Sequence, residues 1–141
     1  MLKANSPCTI NVLMVDNDAK FLASAKKCLN SQGGLEVQTA LSSEDALKKM
    51  GAKKPDVIVC GIQTPTKTGF EFLKAIRDND ESIPFIVFAT PTKKILALEA
   101  IYSGANAMVK KYGKSSVVYQ QLKSCIESVT QNSMSENVFD I

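Results

Sequence analysis

The sequence predicts an α/β domain: a parallel sheet with helices packed on both faces. Three observations carry that expectation. Five short apolar runs alternate with five amphipathic segments along the 141 residues, and strict alternation of this kind implies parallel strands joined by helical crossovers. The first, third and fourth runs are almost continuously apolar, as strands buried on both faces are. Glycine or proline punctuates the chain where runs change character, at Gly33-Gly34, Gly51, Pro84 and Gly104.

Each element has its own justification. "TINVLMV" (9–15) is rich in β-branched residues and reads as a buried strand. "DAKFLASAKKCLNSQ" (18–32) places Phe21, Leu22, Ala25, Cys28 and Leu29 at helical spacing, and Gly33-Gly34 stops it. "LEVQTA" (35–40) is the second strand. "SSEDALKKM" (42–50) carries Ser42 and Asp45 in capping-box spacing and runs as a helix to Gly51. "DVIVC" (56–60) is the third strand. "TGFEFLKAIRDN" (68–79) is the third helix, with Phe70, Leu73, Ala75 and Ile76 on or near its inner face. "PFIVFA" (84–89) is the fourth strand, and "TKKILALEAIYSG" (92–104) the fourth helix, capped by Thr92 and ended by Gly104. "NAMVK" (106–110) is a short fifth strand. "SSVVYQQLKSCIESVT" (115–130) is the fifth helix, with Val117, Leu122, Cys125, Ile126 and Val129 as candidate core contacts. Residues 1–8 read as an N-terminal extension, 9–130 as one domain, and 131–141 as an aperiodic tail or linker.

Composition removes several kinds of chemistry. The chain contains no histidine, so no Ser-His-Asp or Cys-His nucleophile is available. Its four cysteines, Cys8, Cys28, Cys60 and Cys125, are far apart and form no C-x-x-C pair, which fits reduced thiols in a cytoplasmic protein better than a zinc site. Net charge is +3, and Arg77 is the only arginine. The lysines are dispersed in pairs rather than gathered into a stripe, so nucleic acid is not an expected partner. No apolar run is long enough to span a bilayer, and no signal peptide is expected.

In an open parallel sheet, ligands bind beyond the carboxyl ends of the strands. The residues that follow each strand are therefore the candidate site: Asp16-Asn17-Asp18, Gly61, Ala89-Thr90 and Lys110-Lys111.

Those residues carry a resemblance. "VLMVDND", "DVIVCGIQTPTKTGFEFLKAIR", "IPFIVFAT" and "GANAMVKK" occur in the order and spacing of the receiver domains of two-component response regulators. The chain resembles that family from about Thr9 to Val129, and the wording "IPFIVFA" and "GANAMVKKYG" is most similar to archaeal receivers. The resemblance implies a (βα)5 flavodoxin-like, CheY-like fold with strand order 2-1-3-4-5. It also implies a site in which acidic residues hold Mg²⁺ while an aspartate accepts a phosphoryl group.

Position by position, the resemblance leaves that site depleted. The first acid is kept as Asp16, the second falls on Asn17, and Asp18 follows. The acceptor aspartate falls on Gly61, the switch hydroxyl on Ala89, the lysine on Lys111 and the aromatic of the fifth strand on Met108. A glycine has no side-chain oxygen to attack phosphorus, and Mg²⁺ wants oxygen ligands that two of these positions no longer supply. Asp16 and Asp18 remain as weak or vestigial metal ligands, and no resident cofactor is expected. Lys111 either pairs with Asp16 or points to solvent. Thr64, Thr66 and Thr68 read as a polar turn surface rather than a relocated acceptor. Cys60 reads as a buried residue on the opposite face of the strand from Gly61.

The expected function is that of a non-enzymatic pseudo-receiver, a protein-interaction module in a phosphorelay that works without being phosphorylated. The resemblance implies a histidine kinase or an output domain as partner. It also implies a homodimer face made by the fourth helix, fifth strand and fifth helix, with Ile95, Glu99, Tyr102, Met108, Lys110 and Tyr112 on it. The alternatives are a phosphorylatable receiver with a relocated acceptor and a small-ligand-binding flavodoxin-like domain. No Gly-rich nucleotide fingerprint supports the latter, and no helix-turn-helix segment follows to support DNA binding.

Overall fold

A computed structural model of the chain describes residues 9–61, 68–79, 82–89, 101, 104–110 and 114–134. Five parallel strands, β1 (Ile10–Val15), β2 (Leu35–Ala40), β3 (Val57–Gly61), β4 (Phe85–Ala89) and β5 (Ala107–Lys110), form one sheet in the order β2-β1-β3-β4-β5. Helices α1 (Ala19–Ser31), α2 (Ser43–Ala52), α3 (Thr68–Asp78) and a C-terminal helix (Ser115–Met134) accompany it. The strand order is the expected 2-1-3-4-5. The fourth predicted helix falls mostly outside the described residues. Of it, Ile101 is helical and Gly104 follows in a turn at φ 118°.

Alternation along the strands sorts the core into two layers. Val12, Met14, Val57, Val59, Ile86 and Phe88 face Leu22, Ala25 and Leu29 of α1 and Val118, Leu122 and Ile126 of the C-terminal helix. Leu13, Val15, Ile58, Cys60, Phe85 and Val87 face Ala46 of α2 and Phe72, Leu73 and Ile76 of α3. Strands buried on both faces need apolar residues at every position, which is why β3 and β4 show no alternation in sequence.

Local chemistry sets the helix ends. Asp18 caps α1, its Oδ1 accepting the Phe21 N–H at 3.1 Å. Gly33 and Gly34, at φ 79° and 83°, turn the chain back into β2 through a conformation that other residues resist. Ser42 Oγ accepts the Asp45 N–H at 3.1 Å, as its spacing predicted. At the amino ends of the strands, Asp56 ties β3 to β1. Its N–H donates to the Asn11 carbonyl at 2.8 Å, and its Oδ2 accepts the Asn11 N–H at 2.8 Å.

Some expectations need correction. Val117 is 46% exposed, whereas its neighbours Val118 and Tyr119 are buried. The inward stripe of the C-terminal helix therefore starts one residue later than the sequence suggested. Phe72 is a central core residue of α3 that the periodicity passed over. The C-terminal helix runs through Met134, past Thr130, because no glycine or proline stops it.

Candidate functional site

The carboxyl ends of β1 and β3 lie side by side. The register pairs Val15 with Cys60, so the next residues, Asp16 and Gly61, occupy neighbouring positions at the mouth of the sheet. On its other side Gly61 pairs with Phe88 of β4. Asp16 is the only acidic side chain buried among the described residues, at 4% exposure. Its Oδ1 accepts the Asp18 N–H at 3.0 Å, and its N–H donates to the Ala40 carbonyl at 3.1 Å. One carboxylate is thus fixed at the corner where the sequence placed it. Asn17 and Asp18 are exposed, and Asp18 has a structural task as the cap of α1.

Gly61 is buried and paired in the strand with Phe88. Paired strand backbone is a conformation that L-residues commonly adopt. What distinguishes the position is the missing side chain beside Asp16, since glycine inside a strand ordinarily weakens it.

The described donor set does not fit a resident Mg²⁺. That ion wants near-octahedral oxygen coordination. Asp16 and Asp18 are the carboxylates at the corner, and Gly61 adds no side-chain oxygen. Among the described residues, no group of three or more His, Cys, Asp or Glu side chains is gathered to hold a metal. Ala89 ends β4 at the expected place. Lys111, Ile95, Glu99, Tyr102 and Tyr112 lie outside the described residues, as do Thr64 and Thr66, while Thr68 is the first residue of α3. Lys110 is exposed, and Met108 is half-buried against the α2–α3 side of the core.

Cys60 lies on the α2–α3 side of the sheet, opposite Val57 and Val59, as the alternation predicted. It is buried, its Sγ lies 3.5 Å from the Gly61 carbonyl, and desolvation followed by the Asp16 charge pushes its thiol up from 9.0 to about 12. The native thiol therefore keeps its proton where the unfolded one loses it. The contribution of Cys60 to stability is level below pH 9.0 and falls as pH climbs toward about 12. Melting temperature is expected to drop as pH rises from about 9 to about 11, and the drop should be shallower in Cys60→Ala. Equal slopes in the two proteins would refute this.

A groove of about 240 Å³ opens at the other end of β1, lined by Asn11, Val12, Lys26, Lys53 and Pro55 among others. Its Lys53 pairs with Glu36 at 3.7 Å, and it holds none of the residues of the acidic corner.

One anchoring group escaped sequence reasoning. Arg77 reaches from α3 and donates to the Gly104 carbonyl from Nε (3.1 Å) and Nη2 (2.9 Å), and from Nη2 to Asn106 Oδ1 (3.1 Å). Asn106 Oδ1 also accepts the N–H of buried Phe85 at 2.8 Å, and the Asn106 N–H donates to the Phe85 carbonyl at 2.8 Å. The chain's single arginine thus pins the turn that enters β5. Its rarity was the available signal.

An open parallel sheet in this order, with a buried carboxylate at the end of β1, defines a doubly wound flavodoxin-like domain. The sequence matches the response regulator receiver domain family over residues 12–123, and the chain belongs to that family. It is a receiver domain of two-component signalling. The chemotaxis protein CheY of Thermotoga maritima is 32% identical over 109 residues, covering 76% of this chain and 90% of that protein. The protein-glutamate methylesterase/protein-glutamine glutaminase of Clostridium acetobutylicum is 34% identical over 105 residues, covering 72% of this chain. This chain spans only 30% of that relative's length. Among solved structures, Vibrio cholerae CheY4 superposes with a TM-score of 0.71 at 28% identity, over 82% of this chain and 98% of that one. Among the described residues, no helix is long and apolar enough to cross a membrane.

Proposed function

We propose that this chain is a pseudo-receiver: a cytoplasmic interaction module in a phosphorelay that takes no phosphoryl group and has no catalytic activity of its own. The observation that supports this reading is the placement of Gly61. It ends β3 beside the buried Asp16, at the position that the family resemblance gives to the acceptor carboxylate. Phosphoryl transfer to a protein carboxylate needs an oxygen nucleophile aligned with phosphorus and metal charge to steady the transferred group. Gly61 brings no such oxygen, and among the described residues the metal is poorly provided for, so Mg²⁺ binding is expected to be weak. Ala89, which brings no hydroxyl to the end of β4, is a departure in the same direction.

The partner is a protein of the same pathway, a histidine kinase or an output domain. The docking and dimer face is the one beside β5, to which Lys110 contributes an exposed charge. Val117 and Ile101 add exposed apolar surface on the segments that flank β5. Among the described residues, no geometry at the acidic corner favours a relocated acceptor or a small-ligand site.

The test is an amide spectrum recorded with and without beryllofluoride and Mg²⁺. A working receiver closes its acceptor carboxylate around this phosphoryl mimic, and its spectrum changes. This chain is expected to show no shifts at Asp16, Gly61, Ala89 or across β5. A saturable change at those residues would overturn the proposal.

A further inference from the structure

β2 is an edge strand, and its free side is not open. The Gly34 and Ala40 carbonyls accept from Ile10 of β1 and from Asp16, the residue after it. Pleat alternation then turns residues 36 and 38 to the same side. Residues 35, 37 and 39 consequently direct their backbone groups away from the sheet. Side chains already occupy two of those outward groups. The Val37 N–H donates to Asn30 Oδ1, reaching from the last turn of α1, at 3.0 Å. The Thr39 carbonyl accepts from Lys49 Nζ, reaching from α2. Asp45, one turn earlier, holds Lys49 Nζ at 3.3 Å.

An unprotected edge is a template for strand addition. Here the edge is self-complementary. Outward residues 35, 37 and 39 are symmetric about Val37, so antiparallel pairing with a second copy would set Val37 against Val37 and Leu35 against Thr39. Exposed Glu36 would then face the neutral Gln38 of the other copy, not another acid. We propose that Asn30 and Lys49 are paired blocks on the β2 edge, which keep the sheet from extending into a second copy of this chain.

The test is sedimentation velocity of the Asn30→Ala/Lys49→Met double variant over a concentration series, with hydrogen exchange of the β2 amides on the same samples. Removing both caps is expected to strengthen self-association by roughly tenfold or more over the parent, since each frees a backbone group to pair between copies. The Val37 and Thr39 amides should become more protected as concentration rises. Asn30→Asp keeps an acceptor at the same place and should behave like the parent. If the double variant does not fold, Lys49→Met alone carries the test by the same criteria. A folded variant with parent-like association overturns the proposal, as does association whose protection falls outside β2.

Discussion

Replacing Gly61 by aspartate is expected to make the stability of this chain depend on Mg²⁺. Without divalent cation, a second carboxylate would stand beside Asp16, which is 4% exposed and already fixed by the Asp18 N–H. Two carboxylates sharing a dry corner repel each other. The variant should be less stable than the parent by about 1–3 kcal/mol at neutral pH. Adding Mg²⁺ supplies the missing counter-charge, and binding to the folded state alone returns stability by mass action, about 2.7 kcal/mol at a hundred times the dissociation constant. The parent should show little such response. Gly61→Asn, of the same size and uncharged, separates charge from bulk and should be insensitive to the ion. Residue 61 is paired strand backbone, an extended conformation that L-residues commonly adopt. Thermal unfolding of the three proteins with and without Mg²⁺ decides the matter. An Mg²⁺-indifferent Gly61→Asp would show that a carboxylate at residue 61 and Asp16 do not come close enough to share the ion.

The second large effect concerns the brace at the start of β5. Arg77→Ala removes three charge-assisted hydrogen bonds to Gly104 and Asn106. Asn106→Ala removes the acceptor for the N–H of Phe85, which is fully buried. An unsatisfied buried N–H costs about 1–3 kcal/mol, and bonds to a charged partner contribute about 1.5–3 kcal/mol. Each single variant is therefore expected to lose about 2 kcal/mol in denaturant unfolding. Because both residues serve one network, the double variant should lose less than the sum, with a coupling of about 1 kcal/mol. Strict additivity would mean the two side chains act separately. Gly104 belongs to the same brace. It adopts φ 118°, and a Cβ there would come within 3.1 Å of Arg77 Nε, so both backbone and space favour glycine.

Much of this fold was legible because its strands are short, apolar and separated by amphipathic helices. β2 begins and ends where "LEVQTA" does, and Asp18, Ser42 and Gly33-Gly34 bound their helices as their chemistry requires. Periodicity was less informative at helix margins. Val117 and Val118 are chemically alike, and only the register of the helix against the sheet decides which is buried. Phe72 was missed for a similar reason, being one of two phenylalanines a turn fraction apart. The acidic corner was legible because Asp16 ends a strand in an otherwise apolar run. The Arg77–Asn106 brace and the edge blocks at Asn30 and Lys49 were not. Each joins residues distant in sequence through backbone groups, and backbone groups leave no mark in composition.

The most direct test is the intact mass of the purified chain after incubation with Mg²⁺ and a small acyl-phosphate donor, alongside a working receiver treated identically. The working receiver is expected to gain the mass of one phosphoryl group, and this chain none. A stable phosphoryl adduct on this chain, mapped to any residue at the carboxyl ends of the strands, would contradict it.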